Sequence, residues 1–468
     1  MRLKAIFTNS FGILISRITG LIRDIFMAGA LGASIYSDIF FVAFKLPNLF
    51  RRIFAEGAFT QSFMPSFVAS RQKGVFAVAI FLRFLLFLIL GSLLVTLFPE
   101  IITKLIAIGW DADTIAKAAP LTAINFWYLD LIFIVTFLAT ILQYKEHFAT
   151  TAFSTVLLNI SMIGALWMFL HDDPKTVALA LSISVLIGGM LQVLVHIWAL
   201  GRTKMATLLI GGWKYRKTRD TTHETKKFKK IFLPAIWGNS TPQINAFLDT
   251  ALASFLVAGS ISYLFYANRI FQLPLAIFAI ATATALFPAI SKAIKNNKIQ
   301  DMQTNLAKAF WFLAFLLGIS TVGGVVFGEA IIKVIFERGK FTDLHTVETT
   351  RVLMMYMIGL LPFGLAKLFS LVLYATHRQA KAAKIATYSL IANLIASLIL
   401  MWPLGAAGLA LAGSIGGWVL FAGTIKEIGY RDFLAILRHR YSIYWLALMV
   451  ALIPIFKLVN NYLMAWLQ

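Results

Sequence analysis

Residues 37–66 read SDIFFVAFKLPNLFRRIFAEGAFTQSFMPS. The stretch is apolar enough to enter a membrane, yet it holds Asp38, Lys45, Asn48, Arg51, Arg52 and Glu56. On a helix, Asp38, Lys45, Asn48, Arg52 and Glu56 follow one another at spacings of seven, three, four and four, which places all five on one narrow stripe. Arg51 falls roughly 100° to one side. A charged side chain at mid-membrane costs about 2.5–3.5 kcal/mol on the insertion scale, so a stripe of them needs a polar destination. Two readings fit: an amphipathic helix lying on the membrane surface, or a helix lining a water-filled cavity in a transmembrane bundle. The Phe-rich opposite face and Pro47 inside the run favour the second.

Working outward, the rest of the chain supports a bundle. Of its 468 residues, 60% are hydrophobic and 13% charged, against about half and a quarter in soluble domains. Cysteine is absent, which excludes a disulfide framework, a cysteine zinc site and a thiol nucleophile. The first apolar run follows Arg2 and Lys4 and continues into charged residues without a small-residue cleavage pattern, so a first span is expected and not a signal peptide. Thirteen runs near span length are found, at 6–31, 37–68, 75–98, 120–142, 150–170, 176–200, 231–257, 261–291, 307–327, 349–374, 382–402, 406–425 and 442–464. The fold class expected is an all-α polytopic membrane protein.

The charges test this topology. With the N-terminus in the cytoplasm, the segments expected on that side hold 26 of the 42 Lys and Arg residues, and the outer segments hold eight. The acids run the other way: Glu100, Asp111, Asp113, Asp172, Asp173, Glu329, Glu337, Asp343 and Glu348 all fall outside. The net charge of +22 is therefore read as topology, a basic face near anionic lipid, in preference to a nucleic-acid partner. Within the spans lie eight cations (Arg17, Arg23, Lys45, Arg51, Arg52, Arg83, Arg269 and Lys367) against five acids (Asp24, Asp38, Glu56, Asp130 and Asp249). A bundle with that excess suits an anionic ligand.

Residues 201–230 are the one long polar connection and read as a cytoplasmic basic linker. A repeat flanks it: FVAFKL (41–46) and FYANRI (265–270) are 224 residues apart, and IFA recurs at 53–55 and 277–279 with the same offset. Span two then corresponds to span eight, and Lys45 to Arg269. Six spans per half give parallel repeats about an axis along the membrane normal. The expected organisation is an N-terminal lobe over 1–200, the linker over 201–230, a C-terminal lobe over 231–427 and an additional span within 428–468. The two six-helix lobes would surround a central cationic cavity.

Span one carries Gly12, Ser16 and Gly20 four residues apart, a strip that permits close helix contact. Arg17 and Asp24 share a neighbouring face. Arg17 could pair with Asp38 or Glu56 for packing, for ligand binding, or for both. Arginine suits phosphate because its planar fork bonds bidentately and stays charged when buried. Arg17, Arg23, Arg52 and Arg269 around one cavity would hold a diphosphate. Signals for an enzyme are weak: the seven histidines show no metal-ligand spacing, no DDxxD-type cluster occurs, and no Gly-rich phosphate loop follows a strand.

SRITGLIRD (16–24), SDIFFVAFKLPNLFRRIFAEGAFTQSF (37–63), LLNISMIG (157–164), ASFLVAGSISYLFYANRI (253–270) and FERGKFT (336–342) closely resemble the MurJ (MviN) family of lipid II flippases. That family belongs to the multidrug/oligosaccharidyl-lipid/polysaccharide exporter superfamily. The resemblance implies two six-helix lobes, alternating access, and transfer of undecaprenyl-diphosphate-linked peptidoglycan precursor from the inner to the outer leaflet. It places the substrate-binding positions on Arg17, Arg23, Arg52 and Arg269, with Lys45, Asn48 and Arg51 also matching. Asp24, Asp38 and Glu56 would hold the arginines or close a gate. The chain departs from the family in three ways. Asn268 stands where many relatives have Asp. Ser397 stands where an acid would complete a sodium site with Asp249 and Asn393. Thirteen spans are found where fourteen are common, which would put the C-terminus outside.

The function expected is thus that of a lipid II flippase, with no enzymatic activity, in a bacterial inner membrane. The alternative is a flippase for another polyprenyl-diphosphate glycan, or a drug or cation exporter of the same superfamily. No cofactor is expected; sodium at Asp249, Asn393 and Ser397, or the membrane potential, is the candidate driving force. The expected partners are lipid II, membrane lipids and cell-wall synthesis proteins, with no nucleic acid.

Overall fold

The structure, a computed structural model, describes residues 3–467, with side chains described except at 3–10, 53–56 and 237–242. It divides into two compact units, Met1–Phe255 and Leu256–Gln468. The first contains α1 (Leu3–Leu31), α2 (Ile35–Phe50), a π-helical segment (Arg51–Phe59), α3 (Thr60–Ala69), α4 (Lys73–Leu97), α5 (Pro99–Ile106), α6 (Ala112–Phe126), α7 (Tyr128–Tyr144), α8 (Ala149–Met168), α9 (Pro174–Arg202), α10 (Met205–Tyr215) and α11 (Thr222–Ala253). The second contains α12 (Ser260–Pro274), a second π-helical segment (Leu275–Ile280), α13 (Ala281–Lys295), α14 (Ile299–Val326), α15 (Gly328–Phe336), α16 (Asp343–Ile358), α17 (Leu360–Ala375), α18 (Gln379–Ile428), α19 (Tyr430–Leu437) and α20 (Tyr441–Leu467). The all-α multi-pass architecture follows from the composition: in hydrocarbon a helix satisfies its own backbone.

The internal repeat is visible in the element order. Each unit has an α–π–α rod, a long helix, a helix of eight or nine residues, a helix pair broken at one residue (Trp127 or Gly359), and then two more spans. The two π segments begin at Arg51 and Leu275, 224 residues apart, which is the offset of the sequence repeat. Both sit near a proline, Pro47 inside α2 and Pro274 at the end of α12. Proline offers no N–H to the carbonyl four residues back, and its ring crowds that carbonyl. A widened turn is one way to absorb the defect. The helix expected over 37–68 is therefore not one α-helix.

Among the described residues, nine helices are long and apolar enough to cross a membrane. That criterion does not fix the expected count of thirteen. The described part of α1 carries Arg17, Arg23 and Asp24, and α18 holds two of the expected spans. The break between those two falls at Gly405, with φ 58° and ψ −135°, two residues after Pro403. Only glycine enters that conformation without strain. The polar stretch 201–230 forms α10 and the start of α11. Helix α10 seats on α4 through glycines: a Cβ on Gly212 would lie 2.1 Å from the Gly74 carbonyl oxygen.

Helix α11 packs within the first unit, on the π segment and α3. Phenylalanines bind this region together. Phe63 stacks on Phe59 at 5.0 Å, on Phe67 at 5.4 Å and on Phe76 at 5.7 Å, while Phe84 meets Phe232 of α11 at 5.0 Å. Phe59, Phe63 and Phe76 are completely buried. In a bilayer such interlocking rings hold helices by van der Waals packing, since lipid tails are as apolar as the rings.

Candidate functional site

Span one meets α8 along the small-residue strip. A Cβ on Gly12 would lie 2.7 Å from Ala152 Cβ, Thr155 Oγ1 donates to Ser16 Oγ at 2.6 Å, and Gly20 faces Asn159. The close approach brings Asn159 within reach of the charges on α1. Its Nδ2 donates to Ser16 O at 3.1 Å and to Thr19 Oγ1 at 3.0 Å. Its Oδ1 accepts from Arg23 Nη1 at 3.1 Å. Arg23 then turns its Nε (3.0 Å) and Nη2 (2.7 Å) onto Asp24 Oδ1. Asp24 is fully buried, and the Arg23 side chain is 12% exposed. A buried carboxylate of this kind persists only when a cation and hydrogen bonds replace its water.

Arg17, six residues earlier on α1, is exposed. Among the described residues it joins no ion pair, so the pairing considered with Asp38 is not formed. The two arginines of span one thus differ: three N–H groups of Arg23 are engaged by protein atoms, whereas Arg17 is exposed and pairs with no acid among the described residues.

The stripe of span two begins at a capped helix end. Ser34 and Ser37 form a capping box, and Asp38 lies in the first turn of α2, where the helix dipole favours an anion. Asp38 is 2% exposed. Lys45 and Asn48 follow on α2 and are half-buried, as is Arg51, and Arg52 is exposed. Arg51 and Arg52 open the π segment, so the strict α register of the stripe runs only to Asn48. The Glu56 side chain lies outside the described residues. Lys45 sits in the fields of Asp249 on α11, which attracts it, and of Arg52, which repels it.

In the second unit, the Arg269 guanidinium lies over the Phe265 ring, 5.2 Å from its centroid. Asn268 accepts a hydrogen bond from Gln272 one turn on. Asn393 and Ser397 are buried together, with Ser397 Oγ donating to Asn393 Oδ1 at 3.3 Å. Asp249 belongs to the first unit, where its charge acts on Lys45. No cluster of three or more acids or histidines suited to a metal occurs among the described residues.

Two site residues escaped the sequence reading. Asn159 sits in the quoted LLNISMIG stretch, where a buried amide inside an apolar span was the available signal. Asp130 was counted as an intramembrane acid but given no partner; it is buried and accepts from the buried Ser92 hydroxyl on α4. That pairing links residues 38 apart in sequence, which no local periodicity displays.

The family model described as "Lipid II flippase MurJ" matches residues 27–467. A "Probable lipid II flippase MurJ" of Helicobacter pylori is 49% identical over 433 residues, covering 90% of this chain and 94% of the relative. Its counterpart from Haemophilus influenzae is 31% identical over 446 residues, covering 89% and 85%. Among solved structures, "Lipid II flippase MurJ, inward closed conformation" aligns with a TM-score of 0.79 and 25% identity, over 98% of this chain and 97% of that one. An inward-facing MATE multidrug transporter aligns with a TM-score of 0.70 and 14% identity, over 92% and 98%, a likeness of fold alone.

Proposed function

The chain belongs to the lipid II flippase MurJ family, and we propose that it moves lipid II from the inner to the outer leaflet of a bacterial inner membrane by alternating access. The observation that carries this reading is the 49% identity along 90% of the chain to a relative of that name. The protein is a multi-pass membrane protein whose role is transport. The likeness to drug transporters of the MATE family extends to the fold and does not reach the substrate.

The headgroup of such a substrate carries a diphosphate, and the cations of the first unit suit it. Arg17, exposed and unpaired among the described residues, presents its fork to phosphate oxygens. Arg23 is held by Asp24 and Asn159, so its part is to fix the shape and potential of the α1–α8 seam. Arg52, Lys45, Asn48 and Arg51 continue the positive surface along span two, and Arg269 is the counterpart in the second unit. Asp38 and Asp24 keep the cations placed, with Glu56 in the same assigned role. A diphosphate can drive the exchange of access only if it binds the two states differently.

The N-terminus lies in the cytoplasm on this reading, supported by the excess of Lys and Arg in the segments that then face inward. The driving force is sodium or the membrane potential. For sodium, the candidate ligand in the first unit is Asp249, a hard oxygen donor, and those in the second unit are Asn393 and Ser397. Sodium-independent flipping together with an active Asp249→Ala variant would remove sodium from the scheme. The function is tested in a strain depleted of its own flippase. Expression of this chain should restore growth and clear lipid II from the inner leaflet, whereas accumulation of a different lipid-linked glycan on depletion would overturn the substrate.

A further inference from the structure

The second unit contains an apolar cavity of about 430 Å³ between α14, α17, α18, α19 and the start of α20. Phe310, Trp311, Leu361, Phe433 and Leu446 are among the residues that line it. Its walls are fixed by polar ties from two indoles. Trp445 Nε1 donates to Ala314 O at 2.8 Å, and Trp311 Nε1 donates to Ile436 O at 3.3 Å. Helix α20 therefore runs beside α14 with a gap that no described side chain fills, and the gap is of ligand size.

Cations gather where the cavity approaches the turn between α19 and α20. Arg438 directly follows the lining residue Leu437, and Arg440 lies two residues before the lining residue Ser442. Lys308 is one helical turn from Trp311 on α14. All three are exposed, and none joins an ion pair among the described residues. Of the acids at this end, Glu427 holds Arg378 and Lys381, and Asp432 accepts from Gln303 at 3.3 Å. His439 and Tyr441, with ring centroids 4.3 Å apart, add the amphipathic rings that settle at headgroup depth.

An apolar slot whose lining residues are flanked in the chain by exposed cations is complementary to one kind of molecule in a bilayer. We propose that this cavity is a binding site for an anionic phospholipid, with an acyl chain in the slot and the phosphate against Lys308, Arg438 and Arg440. The lipid completes the packing of α19 and α20 against the second unit. Each cation near a membrane surface is worth roughly a fivefold preference for an anionic headgroup. This site goes beyond the transport function and does not depend on it.

The test is native mass spectrometry of the full-length purified protein with phosphatidylglycerol and phosphatidylethanolamine at equal concentration, together with thermal unfolding in each lipid. One phosphatidylglycerol should be retained in at least about fivefold preference, with a higher melting temperature. K308Q, R438Q and R440Q combined should remove the preference while leaving melting in lipid-free detergent unchanged. Leu361→Trp, which fills the slot, should abolish retention of either lipid. The proposal fails if both lipids bind equally to the native chain, if the preference survives removal of all three cations, or if undecaprenyl diphosphate displaces phosphatidylglycerol, which would assign the slot to a polyprenyl tail.

Discussion

Individual residues set the chemistry of the first unit. Arg23 joins α1 to α8 through Asn159 while neutralising the fully buried Asp24. Removing the cation from such a pair costs about 3–5 kcal/mol, because the acid stays behind in a dry site. Arg23→Ala should therefore lower both the melting temperature of the purified protein and its ability to support growth. Arg17→Ala should differ: with no ion pair to lose among the described residues, folding and protein level should stay near those of the parent while complementation of a flippase-depleted strain is lost. Normal growth at equal protein level would show that Arg17 does not hold the headgroup. The sequence drew attention to both arginines by their depth in an apolar span. It could not separate them, because the separation depends on Asn159, which lies 136 residues from Arg23.

At the scale of elements, close helix contact and the π segments govern how the charges are presented. The strip on α1 is tight at one end and ordinary at the other: an added Cβ meets Ala152 Cβ at 2.7 Å at Gly12, but nothing nearer than 3.6 Å at Gly20. Gly12→Ala should destabilise by about 1–3 kcal/mol through overpacking. Gly20→Ala should be neutral or stabilising, since alanine is the better helix former; thermal unfolding of the two variants checks the contrast. The π segment makes a second test. Deleting Ala58, which is fully buried, removes the extra residue of the wide turn and rotates α3 by roughly 100° relative to α2. Phe63 then leaves its stack with Phe59 and Phe76, and the protein should lose thermal stability and expression. The period of the apolar positions identified span two as a helix. It gave no sign of where the helix widens, because π and α turns place similar residues in lipid.

At the scale of the whole molecule, topology and repeat carry the reading. The absence of cysteine makes the topology simple to measure with single-cysteine variants. Thr218→Cys should be modified only when a membrane-impermeant thiol reagent reaches the cytoplasmic side, and Asp343→Cys from the outer side of intact cells. Reversed labelling would invert the proposed orientation. The repeat found in two six-residue fragments of sequence extends to the element order of both units, down to the first residues of their π segments.

By itself the sequence determined that this is an all-α membrane protein, that intramembrane charge concentrates in spans one and two, and that the two halves are related. Those properties follow from hydropathy, periodicity and spacing, each local along the chain. The tertiary structure alone decided which charges are committed. Arg23 with Asn159 and Asp130 with Ser92 are pairings made by packing distant helices together, and the Arg23–Asp24 pair between neighbours is locked by the first of them. A buried charge in hydrocarbon is stabilised by whichever partner the fold brings within hydrogen-bond reach, and that neighbour is written in three dimensions.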